Sequence, residues 1–451
     1  MDHTVSSKKM SSPAKENGAI GVCIKSVRVR KLFGYFNYDI PNKSSGSNFD
    51  RLLILYGENG AGKTNLLKLV FHLLSTRNDR GHRNFLLQNK FGSVEVELSN
   101  GMHVGATRRA PEVTGPYRLY IKRGRRSLID FNFTEPSYEP HSSKFNQLQK
   151  YLEILSSFPL SLYFLSDNRN LISDAWDISP ERKPGGFSEE LQQITVAELM
   201  ARTKAVEKKD EVDESVDRFI GYVVRRTLEG ASTGEANTHV LYEQLITGLA
   251  SQARDEKQKA PIPSLLGELA MLTERSVKFA GFGLMKPLSV SKIAKAFRNA
   301  PDARRAVMAN ILIPYIEGVR ARLDALQELY DMITAFVGAL NALYKNKSVE
   351  FSINAGMVIV ARDGTIIPPK FLSSGERQLL LLLCNVILAR YTSSVFIIDE
   401  PELSLNIKWQ RRLIGLLLDC TNGGKVQFVV ATHSIELLTT HQENVVDLVE
   451  I

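Results

Sequence analysis

The run Leu52-Leu53-Ile54-Leu55-Tyr56, then Gly57-Glu58-Asn59-Gly60-Ala61-Gly62-Lys63-Thr64, then Asn65-Leu66-Leu67-Lys68-Leu69-Val70-Phe71 decides how this chain is read. An apolar segment of strand length enters a glycine-rich loop, and the loop opens into an apolar-periodic helix. That is the P-loop pattern in the setting it requires. Backbone N–H groups can wrap a triphosphate only where side chains leave room, and Gly57, Gly60 and Gly62 supply that room. Lys63 places a point charge on the β and γ phosphates, the Thr64 hydroxyl is a Mg²⁺ ligand candidate, and Asn65 follows in the first helical turn. The competing reading, a chance glycine loop between a strand and a helix, has to explain strand, full motif and helix together.

Outward from this stretch, a chain of 451 residues at 43% hydrophobic content has enough apolar material for two or three cores. No apolar run approaches the roughly 18 residues that a membrane span requires. Cys23, Cys384 and Cys420 lie far apart, two of them in apolar periodic stretches. This suggests neither a disulfide framework nor a zinc site, and a reducing cytoplasmic setting is expected. Residues 1–19 are rich in Ser and Lys without an apolar centre, so a disordered tail is expected there and not a signal peptide. The formal net charge of +8 permits a nucleic-acid or acidic-protein partner without requiring one.

Alternation over Ile20 to Arg30 predicts a strand, Phe33 to Ile40 a second and Asp50 to Tyr56 a third. Val94 to Leu98 and His103 to Arg108, joined at Asn100-Gly101, predict a hairpin. Tyr117 to Phe133 predicts another, with Lys122-Arg123-Gly124-Arg125-Arg126 at its turn. That basic tip reads either as a solvated turn or as a contact for nucleic-acid phosphates. Ser161 to Leu165 is an apolar strand that ends at Ser166-Asp167-Asn168-Arg169.

From Ser188 to Lys345 helical spacing takes over. Val212, Val216, Phe219, Ile220 and Val223 form one stripe, and Val240, Leu241, Leu245 and Leu249 another. The longest runs Ile316, Val319, Leu323, Leu326, Tyr330, Ile333, Val337, Leu340 and Tyr344 in steps of three and four. It fits a coiled coil or one long helix of a globular bundle. Ala260 to Pro263, Gly281-Phe282-Gly283 and Pro287 divide the insert into several helices.

A hairpin, Ser348 to Ile353 and Met357 to Ala361, then returns the chain to sheet. Leu372-Ser373-Ser374-Gly375-Glu376 precedes the apolar helix Leu379 to Ala389, placing small polar residues at a helix N-terminus. Val395 to Asp399-Glu400 is a buried strand ending in two acids, and Phe428 to Thr432-His433-Ser434 is one ending in His.

Taken in order, Gly57 to Thr64, Leu372 to Glu376, Val395 to Glu400, Pro401-Glu402-Leu403-Ser404-Leu405-Asn406 and Ala431 to Ser434 resemble ABC-type ATPases of the SMC, RecF and OLD lineage. They look most like the stand-alone ATPase subunits of antiphage systems such as Septu and PARIS. The resemblance implies an α/β fold, an ABC-type P-loop ATPase head with an N-terminal β-rich lobe and a long, partly coiled-coil helical insert. The expected division is 20–187 for the first lobe, 188–346 for the insert and 347–451 for the second lobe.

It also implies ATP and Mg²⁺, with Asp399 holding the metal, Glu400 as general base and His433 as the switch residue beside the γ phosphate. Ser404 and Asn406 would cross to a second protomer. Ser373, Ser374 and Gly375 would cap the other subunit's γ phosphate, so sites would exist only in a homodimer or a higher oligomer built from dimers. Glu376 stands where transporters usually carry a glutamine, and Gln88, Asp167 and Asn168 are the candidates for the glutamine that usually follows the first lobe.

The TOPRIM carboxylates of OLD nucleases and HNH patterns have no counterpart here, so nucleic-acid cleavage is expected from a separate effector, a nuclease, with a phage component as trigger. The competing function is a RecF- or Rad50-like ATPase that binds DNA. A scaffold in which ATP serves as structural glue is the third, and no membrane partner is implied.

Overall fold

The computed structural model describes residues 21–41, 49–77, 80–134, 143–166, 171–173, 211–230, 262–390, 393–403, 405–422 and 424–450. The expected tail, the stripe Val240 to Leu249, and Asp167, Asn168 and Ser404 lie outside them. The chain folds into two compact units. One comprises Met1–Ile178, Ala389–Arg412 and Thr421–Ile451, the other Ser179–Leu388 and Leu413–Cys420, so the 347–451 stretch contributes to both.

In the first unit an antiparallel sheet has the order β2-β1-β4-β5-β6-β7. Its strands are β1 (Ile24–Leu32), β2 (Phe36–Ile40), β4 (Ser93–Leu98), β5 (Met102–Thr107), β6 (Tyr117–Arg123) and β7 (Arg126–Phe133). In β4 every second residue is buried, the signature of a sheet with one face on a core. The β6–β7 hairpin turns at Gly124 and Arg125, with Gly124 at φ 56°. Two-residue turns of this hand suit the twist of the strands. At the tip Arg123, Arg125 and Arg126 are exposed, while Lys122 reaches back to Glu95 Oε2 at 2.6 Å.

The second sheet has the order β14-β3-β13-β12-β8-β9. It is built from β3 (Leu52–Tyr56), β8 (Ser161–Leu165), β9 (Leu171–Ser173), β12 (Ser394–Asp399), β13 (Val426–Thr432) and β14 (Val445–Asp447). All neighbours pair in parallel except β9, which runs antiparallel to β8 at one edge. Every residue of β12 and β13 is buried, as central parallel strands covered on both faces must be.

The helix α1 (Lys63–Leu74) packs on strands of both sheets. Leu66, Leu67, Leu69, Val70, Phe71, Leu73 and Leu74 are all buried, a broad apolar face that takes cover from both sheets, while Thr64, Asn65, Lys68 and His72 on the opposite face are half-buried. α2 (His82–Gln88) packs on α1, and α3 (Ser143–Ser156) on β7. Buried Gln427 of β13 ties the sheets together. Its amide accepts from Ile24 N at 2.8 Å and donates to Ile24 O and Phe49 O at 2.8 and 2.9 Å.

Among its described residues the second unit is mainly helical. The helix Asp302–Leu343 has 42 residues, about 63 Å at 1.5 Å per residue. It packs on the helix Ile262–Gly281, where Phe279 stacks on Tyr330 at 4.6 Å. In its C-terminal half Leu323, Leu326, Leu329, Met332, Ile333, Phe336, Leu340 and Leu343 are buried, a face wider than a two-position seam. Phe336 meets Phe219 of the helix 211–230 at 4.4 Å. The expected hairpin forms as β10 (Lys347–Ser352) and β11 (Gly356–Ala361), followed by the helix Ser374–Ala389.

Candidate nucleotide-binding site

The loop Gly57 to Gly62 leaves β3 and enters α1. Gly60 and Gly62 take φ of 89° and 78°, the left-handed region that glycine enters without a Cβ clash. At Gly62 space adds a second requirement, since a Cβ would lie 2.9 Å from Leu32 Cδ2 and 3.0 Å from Phe33 Cε2. The β1–β2 turn thus packs against the loop, and Tyr38 from β2 donates to Ala61 O at 2.9 Å. Lys63 is buried, its ammonium donating to Gly57 O at 2.7 Å and Glu58 O at 3.0 Å. The lysine therefore sits under its own loop, while Glu58, Asn59 and Gly60 are exposed and Ala61, Thr64 and Asn65 half-buried.

Strand register assembles the remainder. Tyr56 pairs with Thr432, and Ala431 pairs with Asp399. The P-loop, His433 and Glu400 consequently leave three adjacent parallel strands at their carboxyl ends, the place where open α/β sheets bind ligands. Asp399 is buried at the last position of β12. Glu400 has φ 48°, unusual for a residue with a side chain, and its N–H donates to Ala431 O at 2.9 Å. Strain of this kind persists where the surroundings over-determine it.

His433 Nδ1 stands 3.2 Å from Glu400 Oε1 and 3.4 Å from Glu402 Oε1. Glu402 is buried, and its Oε1 accepts from the Thr432 hydroxyl at 2.6 Å and from His433 N at 3.1 Å. The network continues outward. Ser434 N donates to Thr432 Oγ1 at 2.9 Å and Ser434 Oγ to Gln410 Oε1 at 2.9 Å, and Gln410 Nε2 donates to Leu405 O at 2.9 Å. Asn406 caps the helix Ile407–Cys420, its Oδ1 accepting from Trp409 N at 3.1 Å.

These donors and acceptors fit a nucleotide and a divalent cation. A buried ammonium and glycine-opened N–H groups suit phosphates, while a hydroxyl at the first helical turn and a buried carboxylate suit a hard cation.

Ser373, Ser374, Gly375 and Glu376 belong to the second unit. Glu376 Oε2 accepts from Ser373 N at 2.9 Å and Ser373 Oγ at 2.8 Å, and Glu376 N donates to Ser373 Oγ at 3.4 Å, a reciprocal capping box. Lys347 Nζ donates to both carboxylate oxygens at 2.8 and 2.7 Å, and Tyr344 OH donates to Glu376 O at 2.9 Å. Burial raises the Glu376 carboxyl, but the hydrogen bonds from Lys347 and Ser373 outweigh it and hold the group below the usual carboxylate range. The Glu376 side chain is thus engaged within its own unit, while Ser373 and Ser374 are exposed at the helix start.

The structure brings together Lys63, Asp399, Glu400 and His433 from the sequence set at one sheet end. Sequence reasoning assigned no role to Glu402, Thr432 or Gln410. The one available signal was a third acid following Asp399-Glu400 two positions on, and only the fold turns it inward.

Residues 237–439 match the family model described as "AAA domain, putative AbiEii toxin, Type IV TA system". The match takes in Ser373 to Glu376, Asp399, Glu400 and His433, and covers less than half of the chain. No curated protein matches the sequence. Among solved structures, an Smc head domain with an extended coiled coil, bound to the C-terminal domain of ScpA and derived from Pyrococcus furiosus, is 12% identical, with a TM-score of 0.38. The alignment covers 92% of this chain and 91% of that one. An SmcHead bound to the C-winged helix domain of ScpA is 13% identical at a TM-score of 0.37, over 95% and 94%. The Lys63 loop and the Asp399–Glu400 strand end stand at one end of the same sheet, and over residues 237–439 the chain is similar to an AAA domain.

Proposed function

We propose that the chain binds and hydrolyses ATP and couples that cycle to a separate effector, a nuclease, in an antiphage defence system triggered by a phage component. The observation that supports hydrolysis is the register that aligns Tyr56, Thr432 and Asp399 on adjacent strands. Lys63 and the loop N–H groups hold the β and γ phosphates. Thr64 and Asp399 are the residues that would hold Mg²⁺, which would supply neutralisation of the phosphate charge. Glu400 polarises the attacking water and His433 faces the γ phosphate. Ser373, Ser374 and Gly375 of a second copy complete the site, with the Ser404–Asn406 loop reaching across, so the working form is a homodimer or an oligomer of dimers. The long helix Asp302–Leu343, in part as a coiled coil, offers the partner surface.

The family description names a putative toxin of a toxin–antitoxin system, which supports a chain that works with a second gene product. The test is phage challenge of cells carrying the chain alone, the chain with its neighbouring gene, and that pair with Lys63→Ala. Protection or infection-triggered arrest only in the wild-type pair is expected. Protection by the chain alone, or protection unaffected by Lys63→Ala, overturns the reading.

The second reading is a DNA-binding maintenance ATPase, favoured by exposed Arg123, Arg125 and Arg126 at the β6–β7 tip. DNA-stimulated turnover that falls steeply with salt would distinguish it.

A further inference from the structure

We propose that Glu402 is the positioning residue of the switch histidine. It holds His433 in place through three contacts and keeps Glu400 available to water. This inference rests on the hydrolytic reading of the site.

Three observations carry it. First, Glu402 is a buried carboxylate on the loop after β12, a costly group to place there without a role. Second, its Oε1 gathers the Thr432 hydroxyl, the His433 peptide N–H and the His433 ring within 3.4 Å. Both ends of the histidine's attachment, backbone and imidazole, therefore refer to one oxygen. Third, the same Nδ1 lies 3.2 Å from Glu400 Oε1. Carboxylates only accept, so these contacts favour the tautomer with the proton on Nδ1, which leaves Nε2 to face a substrate.

This geometry makes the two acids unequal. Glu402 Oε1 is anchored by buried Thr432 and by the backbone. Glu400 is more exposed than Glu402, with 21% against 5% of its side chain accessible, and its side chain meets His433 alone among the described contacts. While Glu402 supplies a resident acceptor for Nδ1–H, Glu400 can turn to a water without leaving that proton unpartnered. Without Glu402, the imidazole has Glu400 as its remaining carboxylate, and the base is tied to the histidine.

The proposal separates from a merely structural role by kinetics. Purified full-length chain is assayed for MgATP turnover as wild type, Glu402→Ala, Glu402→Gln, His433→Ala and the Glu402→Ala/His433→Ala pair. Glu402→Ala is expected to lower kcat by about 10- to 100-fold, the scale of an outer group that orients a reacting one, with KM for ATP unchanged. Glu402→Gln keeps an acceptor oxygen for Thr432 and for the His433 N–H and should recover most of that loss. In the His433→Ala background, Glu402→Ala should cost almost nothing further, because residues that act as a unit are non-additive.

Wild-type kcat in Glu402→Ala, or a full additional loss in the His433→Ala background, overturns the proposal. So does a Glu402→Gln chain that is as slow as Glu402→Ala at an unchanged melting temperature. If Glu402→Ala fails to fold, Glu402→Met, which fills the same space without an acceptor oxygen, takes its place in both His433 backgrounds and decides the coupling. Absence of turnover in the wild type overturns the hydrolytic reading and this inference together, whereas normal wild-type turnover with additive variants overturns the inference alone.

Discussion

Thr432 and Tyr56 are register partners on parallel strands β13 and β3, so the chain leaves both strands at one level, into His433 on one side and Gly57 on the other. The phosphate loop and the residue expected to sense the γ phosphate, nearly four hundred positions apart, become neighbours through that pairing. Chemistry at this sheet end can therefore be tested one strand at a time.

On β3 and β12, Lys63→Ala should abolish ATP binding, since it removes the only cation of the loop and leaves Gly57 O and Glu58 O without their donor. Glu400→Gln should bind ATP normally and lose turnover by about 10²- to 10⁴-fold, the usual contribution of a general base. Equilibrium binding of a fluorescent ATP analogue, read beside phosphate release, separates the two, and normal hydrolysis by the Gln variant refutes the base assignment.

Gly62→Ala should destabilise the first unit by about 1–2 kcal/mol from the left-handed backbone alone. Contact with Leu32 and Phe33 at 2.9 and 3.0 Å adds to that. Urea midpoints and ATP affinity should fall together. A Gly60→Ala chain, where a Cβ meets nothing within 4 Å, should show only the backbone part.

In the second unit, Lys347→Met should cost about 1.5–3 kcal/mol, the range for hydrogen bonds to a charged group. Because the folded Glu376 carboxyl lies below its ordinary value of 4.5, its contribution is fully present above that pH and is lost as pH falls through the folded value. The stability difference between wild type and Lys347→Met should accordingly shrink as denaturation is followed from pH 7 into the acid range. A difference that stays constant would place the stabilisation elsewhere.

A shared site across two copies predicts complementation. Gly375→Arg and Lys63→Ala chains, each inactive, should regain turnover on mixing, because one composite site keeps both an intact loop and an intact signature. Mixed dimers without regained turnover would rule the shared site out.

Local patterns in the sequence determined a great deal. The glycine loop between β3 and α1, the two β-rich hairpins, the hairpin β10–β11 and the acid- and His-ended strands are each recorded in a few contiguous residues, because turn chemistry and side-chain periodicity are local properties. The order of the motifs likewise supplied the roles proposed for Lys63, Asp399 and Glu400. What the sequence could not determine depends on contacts between distant segments. Strand order β14-β3-β13-β12-β8-β9 has no local code, and neither does the clamp of Gln427 on Ile24 and Phe49. Glu376 stands in sequence at the end of the signature stretch, and the fold pairs its carboxylate with Lys347. Glu402 stands in sequence within a motif but without a role of its own, and burial against Thr432 and His433 is what suggests one. A carboxylate's role is set by which donors surround it, and that is decided by packing, which tertiary structure alone supplies.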